Sequence, residues 1–271
     1  MRLLLTGATG AAGLNVYRAA LVDPSITSIT LLMRREMPSW AVLPPNAAEK
    51  TNTIVHDDFT SYPPDVSSRL VQHDACIWAL GPTSVGMNEE DYTMATHDYP
   101  LAMLAAMREA GLRLSKDRPA DAPFRFVFFS SEMADPTERS GRMFADVKGR
   151  TEKDLGAFCA KNSGMKVHNL RPAFFHPSTE YPEDKKHQRV GIGRNILDFV
   201  LCTVFSFAIP SLYMPIPELT AATLAIAHGR YPDQELFRNT QLRQIAKELS
   251  AKSSPVAPPL NLYRCVELLD M

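Results

Sequence analysis

Short apolar runs alternate along this chain with longer segments whose apolar positions recur at helical spacing, and the alternation holds through the first two thirds. The runs Leu3–Leu5, Ile29–Met33, Thr53–His56, Ala75–Ala79, Phe124–Phe129 and Lys166–Leu170 read as strands. Strands separated by helices predict an α/β fold, a doubly wound parallel sheet covered on both faces. Helices are expected from Leu14 to Leu21 and from about Asp91 to Ala110, the latter with Tyr99, Met103, Ala106 and Met107 turned inward.

Between Pro172 and Pro217 the periodicity loosens. Pro182-Glu183-Asp184-Lys185-Lys186 reads as an exposed loop. The apolar stretch Ile196–Ile209 is too short to span a bilayer and carries Asp198, which leaves a buried helix or an oligomer face. A helix from Leu219 to His228, ended by Gly229, is expected to pack back on the sheet, and Ser250–Pro255 reads as a polar linker. The organisation that follows is one domain over residues 1–250 with a small C-terminal helical cap, its substrate-cap elements around 174–218, and a tail over 251–271.

Thr6-Gly7-Ala8-Thr9-Gly10-Ala11-Ala12-Gly13 joins the first strand to the first helix. Glycines spaced G-x-x-G-x-x-G in that setting let the backbone turn tightly and approach a phosphate, while the helix N-terminus presents free N–H groups to it. This is a dinucleotide-binding fingerprint and makes the expected sheet Rossmann-like. Arg34-Arg35 ends the second strand roughly 20 residues further on, where an NAD site places an acidic residue. Guanidinium groups suit a 2′-phosphate, so NADP(H) is expected ahead of NAD. The plainer reading is a solvated basic strand end, with Glu36 still placed to touch a ribose. Asp57 and Asp58 follow the third strand, where they either accept a bond from an adenine amino group, cap a helix or sit in water. Ala79-Leu80-Gly81 ends the fourth strand, with small residues that suit a backbone passing close to a cofactor.

Composition narrows the class. The chain of 271 residues is 45% hydrophobic and 22% charged with a net charge of −1, enough apolar material for one substantial core and no basic footprint for nucleic acid or an anionic membrane. The apolar run Leu3-Leu4-Leu5 stops at Thr6-Gly7 and reads as a strand, not as the core of a secretory leader. Cys76, Cys159, Cys202 and Cys265 lie far apart, with no C-x-x-C pair and no histidines at metal spacing, which predicts reduced thiols, a cytoplasmic protein and no metal site.

Phe126-Val127-Phe128-Phe129-Ser130-Ser131-Glu132 is a strand ending in two serines, followed by a helix that carries Phe144-Ala145-Asp146-Val147-Lys148-Gly149-Arg150-Thr151-Glu152. With the glycine turn and the later Leu170-Arg171-Pro172, this order resembles the short-chain dehydrogenase/reductase superfamily. Val147-Lys148-Gly149 and the compact C-terminal part resemble its atypical, epimerase-like or NmrA-like branch, which includes Tat-interacting-protein relatives. The resemblance covers roughly the first 250 residues. It implies that a tyrosine four residues before the lysine handles the proton at the reacting oxygen, that Lys148 bonds the nicotinamide ribose, and that Ser130 or Ser131 positions a carbonyl. It also implies that the backbone of Pro172-Ala173-Phe174 faces the nicotinamide amide.

This chain departs from that pattern where the chemistry lies, because Phe144 stands at the tyrosine position. A benzene ring has no proton to donate, and losing a general acid typically forfeits a factor of about 10² to 10⁴. Glu132 is a candidate substitute acid or a solvated loop carboxylate; Lys148 either serves a cofactor or pairs with Glu152; the serines either face a substrate or cap the following segment. Three functions follow. The first is an NADP(H)-dependent oxidoreductase or epimerase-like enzyme acting on a small substrate, hydrophobic if Phe199–Met214 lines its pocket. The second is an NADP-sensing regulator or scaffold without turnover, and the third a non-redox cyclase or isomerase on the same fold. A small molecule is the expected partner, a homodimer is possible through the apolar stretch, and neither nucleic acid nor membrane is expected.

Overall fold

The structure, a computed structural model, describes residues 1–112, 122–178, 180–188 and 212–253. The stretch Ile196–Ile209, the tail beyond Ser253, and Cys202 and Cys265 lie outside the described residues. Seven strands form one sheet: β1 (Arg2–Thr6), β2 (Ser28–Met33), β3 (Thr51–Val55), β4 (Ala75–Trp78), β5 (Phe124–Phe129), β6 (Met165–Arg171) and β7 (Leu236–Arg238). Every pairing is parallel and the order is β3-β2-β1-β4-β5-β6-β7. The helices are α1 (Ala11–Val22), α2 (Ala47–Lys50), α3 (Pro64–Leu70), α4 (Glu89–Thr93), α5 (Tyr99–Glu109), α6 (Met143–Lys161), α7 (Pro182–Gln188), α8 (Ile216–Ala227) and α9 (Asn239–Ser253).

Strand alternation divides the core in two. Leu3, Leu5, Ile29, Leu31, Ile77, Val127 and Phe129 pack with α1, α8 and α9 on one face. Leu4, Leu32, Cys76, Trp78, Phe126 and Phe128 pack with α3, α5 and α6 on the other. Because both faces are covered, the central strands carry apolar runs that do not alternate with polar residues, as in Leu3-Leu4-Leu5, whose three side chains are all fully buried. The chain reverses its direction of travel across the sheet between β3 and β4, so β1 and β4 become neighbours and a crevice opens beyond their C-terminal ends.

Three elements differ from the sequence expectation. The long helix is broken into α4, a π-helical turn over Met94–Asp98, and α5. Pro100 has no N–H to give the carbonyl of Thr96, which relaxes the ladder there. Leu104 is buried along with Met103 and Met107, whereas Tyr99 and Ala106 are half-buried. The loop expected over 182–186 is helix α7, begun by Pro182 and carrying acidic residues in its first turn and basic ones in its last, as the helix dipole favours. Helix α9 runs through the expected linker to Ser253, with the Ser250 hydroxyl donating to the Ala246 carbonyl at 3.0 Å. The edge strand β7 has three residues, too few for a periodicity to mark it.

Candidate dinucleotide site

The glycine turn sits in the crevice between β1 and β4. Gly7 has φ +68°, and a Cβ on it would lie 2.4 Å from the Ala79 carbonyl oxygen at the end of β4. A Cβ on Gly13 would lie 2.1 Å from the Gly7 carbonyl, so a side chain at either position is excluded by backbone. Thr6 is buried beneath the turn, its hydroxyl accepting from Leu80 N–H at 3.4 Å. Gly10 caps α1 with no side chain, and there is no acidic residue in the first turn, so the N–H groups of Ala11, Ala12 and Gly13 face the crevice end of the helix uncapped.

From this turn a cleft of about 370 Å³ extends toward β2 and β3, lined by Gly7, Ala8 and Thr9 on one side and by Arg34 and Arg35 on another. Both arginines are exposed, and among the described residues no carboxylate pairs with either. Phe59, Leu80 and Trp40 give the cleft an apolar surface. Asp57 and Asp58 lie beside it on the exposed loop, but Asp58 turns back to accept from Thr60 N–H at 2.9 Å and Ser61 Oγ at 2.8 Å. These bonds hold its carboxyl down at about 2.

The catalytic candidates meet at the ends of β5 and β6. Lys148 on α6 reaches back so that Nζ donates to the carbonyls of Phe129 at 2.7 Å and Ser130 at 3.3 Å. Burial lowers its ammonium to about 8. Ser130 Oγ is buried and has no hydrogen-bond partner among the described residues, whereas Ser131 Oγ accepts from Met133 N–H at 3.3 Å. Phe144 is half-buried one turn before Lys148. Glu152 is not the partner of Lys148: Arg171 Nε donates to both its carboxylate oxygens, at 2.8 and 3.1 Å. Gly149 lets the loop pass over α6, since a Cβ there would sit 2.0 Å from the Asp135 carbonyl.

Glu132 is half-buried and paired. It accepts from Arg238 Nη1 at 2.8 Å and from the backbone N–H of Asn239 at 2.9 Å, and so ties the end of β5 to the start of α9. The segment after β6 is also tied down. Ala173 N–H donates to Asn239 Oδ1 at 3.0 Å and Phe174 N–H to the Leu212 carbonyl at 3.1 Å, while Pro172 has no N–H. Its backbone donors are therefore all committed to protein.

The sequence reading missed Arg18, Trp40 and α7. Arg18 on α1 is buried and pairs with Asp184 through Nη1 at 2.5 Å and Nη2 at 3.0 Å. Its Nε donates to the Val42 carbonyl at 2.8 Å, and its guanidinium lies 3.6 Å from the centre of the Tyr181 ring. The partners are 166 residues apart in the chain, and no local pattern marks such a pair. A Ser25, His228 and Asp23 cluster at the opposite end of α1 is no catalytic relay, because serine and aspartate both meet the same Nε2, at 3.1 and 3.0 Å. Among the described residues no group of His, Cys, Asp and Glu could hold a metal ion, and no helix is long and apolar enough to cross a membrane.

A seven-stranded parallel sheet with helices on both faces and a glycine turn at its switch point is the Rossmann-like α/β fold. Solved structures similar to this chain include the UDP-glucose-4-epimerase of Stenotrophomonas maltophila with bound NAD, at TM-score 0.62 and 14% identity, covering 87% of this chain and 76% of that one. RhlG of Pseudomonas aeruginosa in its NADP complex is similar at TM-score 0.60 and 15% identity, covering 89% and 96%. No protein-family model matches the chain. Among curated proteins, the leucinostatins biosynthesis cluster protein T of Purpureocillium lilacinum is 29% identical over 155 residues, 57% of this chain and 51% of that protein. The mitochondrial protein fmp52 of Emericella nidulans is 30% identical over 155 residues, 56% of this chain and 59% of its own length. The match thus spans about half to three fifths of these relatives.

Proposed function

We propose that the chain is an NADP(H)-binding oxidoreductase or epimerase-like enzyme of the short-chain dehydrogenase/reductase type, acting on a small, hydrophobic organic substrate without the usual tyrosine acid. The observation that carries this reading is the cleft that joins the uncapped N-terminus of α1, with glycines where backbone would clash with any side chain, to the guanidiniums of Arg34 and Arg35, with which no carboxylate among the described residues pairs. Pyrophosphate suits the first and a 2′-phosphate the second. The bound nicotinamide would supply or accept the hydride. In this reading Lys148, a cation at the end of β5, is the group that would bond the nicotinamide ribose, and Ser130, a buried hydroxyl, the one that would position a carbonyl. The epimerase and RhlG neighbours, which carry NAD and NADP, support a nicotinamide cofactor.

A second reading, an NADP sensor without turnover, is favoured by Phe144 together with the committed N–H groups of Ala173 and Phe174. It keeps the adenosine half of the site, while the segment expected at the nicotinamide face, Pro172-Ala173-Phe174, has its backbone N–H groups bonded to protein. In both readings the partner is a small molecule, with no nucleic acid or membrane, and self-association as a homodimer belongs to the proposal. So does a cytoplasmic location, against which the mitochondrial name of fmp52 stands as the alternative; imaging of a tagged chain separates them.

Calorimetric titration with NADPH, NADP, NADH and NAD tests the site, followed by NADPH oxidation against a panel of hydrophobic carbonyl compounds. The 2′-phosphorylated forms are expected to bind about 10-fold or more tightly, a margin that Arg34→Ala or Arg35→Ala removes, since a charged hydrogen bond contributes about 1.5–3 kcal/mol. Equal binding of all four overturns the NADP assignment. Binding with no oxidation of any substrate favours the sensor.

A further inference from the structure

Trp40 lines the cleft that the glycine turn opens, and its indole is stacked against His187 of α7, with ring centroids 4.6 Å apart and planes 8° from parallel. Trp40 thus forms part of the cleft wall, and α7 stands against it through His187. The wall is held from both sides. Its own loop is closed by Ala41 N–H donating to the Pro38 carbonyl at 3.1 Å and is pinned to α1 by Arg18 Nε on the Val42 carbonyl at 2.8 Å. The same arginine anchors α7 through Asp184, and Gln188 Nε2 at the end of α7 donates to the Thr9 carbonyl in the glycine turn at 3.1 Å.

From this geometry we infer that Trp40 is the stacking platform for the adenine ring of the bound nucleotide and that His187 is a positioning residue that holds the indole in place. The inference rests on the dinucleotide reading above and deepens it. The cleft is lined by Arg34 and Arg35 with Glu36 beside them, by the glycine turn that suits a phosphate, and by the Trp40 indole. A flat heterocycle attached to both kinds of phosphate is the ligand with that distribution. A half-buried indole with one face backed by an imidazole offers it a rigid surface, and base–aromatic stacking is sequence-tolerant and strong. Adenosine binding is thereby tied to α7, a segment from the second half of the chain.

The full chain would be titrated with adenosine 2′,5′-bisphosphate, which lacks nicotinamide, and with NADPH, following tryptophan emission and heat. Binding is expected to quench the wild type. Trp40→Phe keeps a ring and the fully buried Trp78 as its one remaining tryptophan; it should bind within a few-fold of wild type and lose most of the quench. Trp40→Leu should weaken both ligands by about 10-fold or more, and His187→Ala by roughly 3-fold, as a positioning effect smaller than the stack itself. Unchanged affinity in Trp40→Leu, or a full quench in Trp40→Phe, overturns the platform while leaving the dinucleotide reading standing. Unchanged affinity in His187→Ala overturns the positioning role. A wild type that binds neither ligand overturns both readings together.

Discussion

Arg171 holds both carboxylate oxygens of Glu152 in a buried pair, which leaves Lys148, one turn away on the same helix, to donate to the carbonyls of Phe129 and Ser130 instead. The lysine is thus a cation placed against the end of β5 without a carboxylate bonded to it, and desolvation lowers it to about 8 from the ordinary 10.5.

Stability should carry that signature. The unfolded chain keeps the Lys148 proton up to about 10.5 while the folded one releases it near 8, so the native state gains stability as pH rises through that window. Lys148→Met removes the group. The stability of wild type minus that of the variant, from urea unfolding, should therefore increase between pH 7 and pH 9.5. A difference that stays flat would mean that the lysine is not desolvated.

The Arg18–Asp184 pair gives a second expectation. Removing Asp184 leaves a buried guanidinium without its charge partner, a change that typically costs about 3–5 kcal/mol. Asp184→Ala should lower the urea midpoint accordingly and release α7, with faster amide exchange over 181–188 and weaker nucleotide binding. A cost under about 1 kcal/mol would show that the pair behaves as a solvated one.

Backbone crowding at the glycine turn makes a third. A methyl group on Gly13 meets the Gly7 carbonyl at 2.1 Å, a gap that no side-chain rotation relieves. Gly13→Ala should destabilise the fold by about 1–3 kcal/mol and abolish detectable NADPH binding. Retained binding would mean that the turn is not the pyrophosphate cradle.

The last concerns the missing phenol. If the chain is a reductase lacking its usual acid, Phe144→Tyr should raise NADPH oxidation with simple carbonyl compounds by about 10²-fold. No gain in a variant that still binds NADPH favours the sensor reading.

What the sequence determined by itself is what local pattern encodes. The apolar runs and their alternation with helices defined the parallel sheet through β6, because strands buried on both faces tend to near-continuous apolar runs, as in Leu3-Leu4-Leu5, although β6 also buries His168, Asn169 and Arg171. The glycine spacing located the switch-point turn, because only glycine tolerates the backbone approach seen at Gly7 and Gly13. Tertiary structure decided the partners. Glu152 went to Arg171 and not to Lys148, Glu132 went to Arg238 and Asn239, and the segment read as loop became α7, pinned by Asp184 on Arg18. The short edge strand β7 formed against β6, which supplies the pairing that three residues cannot specify. Charged and polar side chains have many chemically equivalent partners along a chain; burial and close approach between distant segments select one of them, and neither is written in the spacing of neighbouring residues.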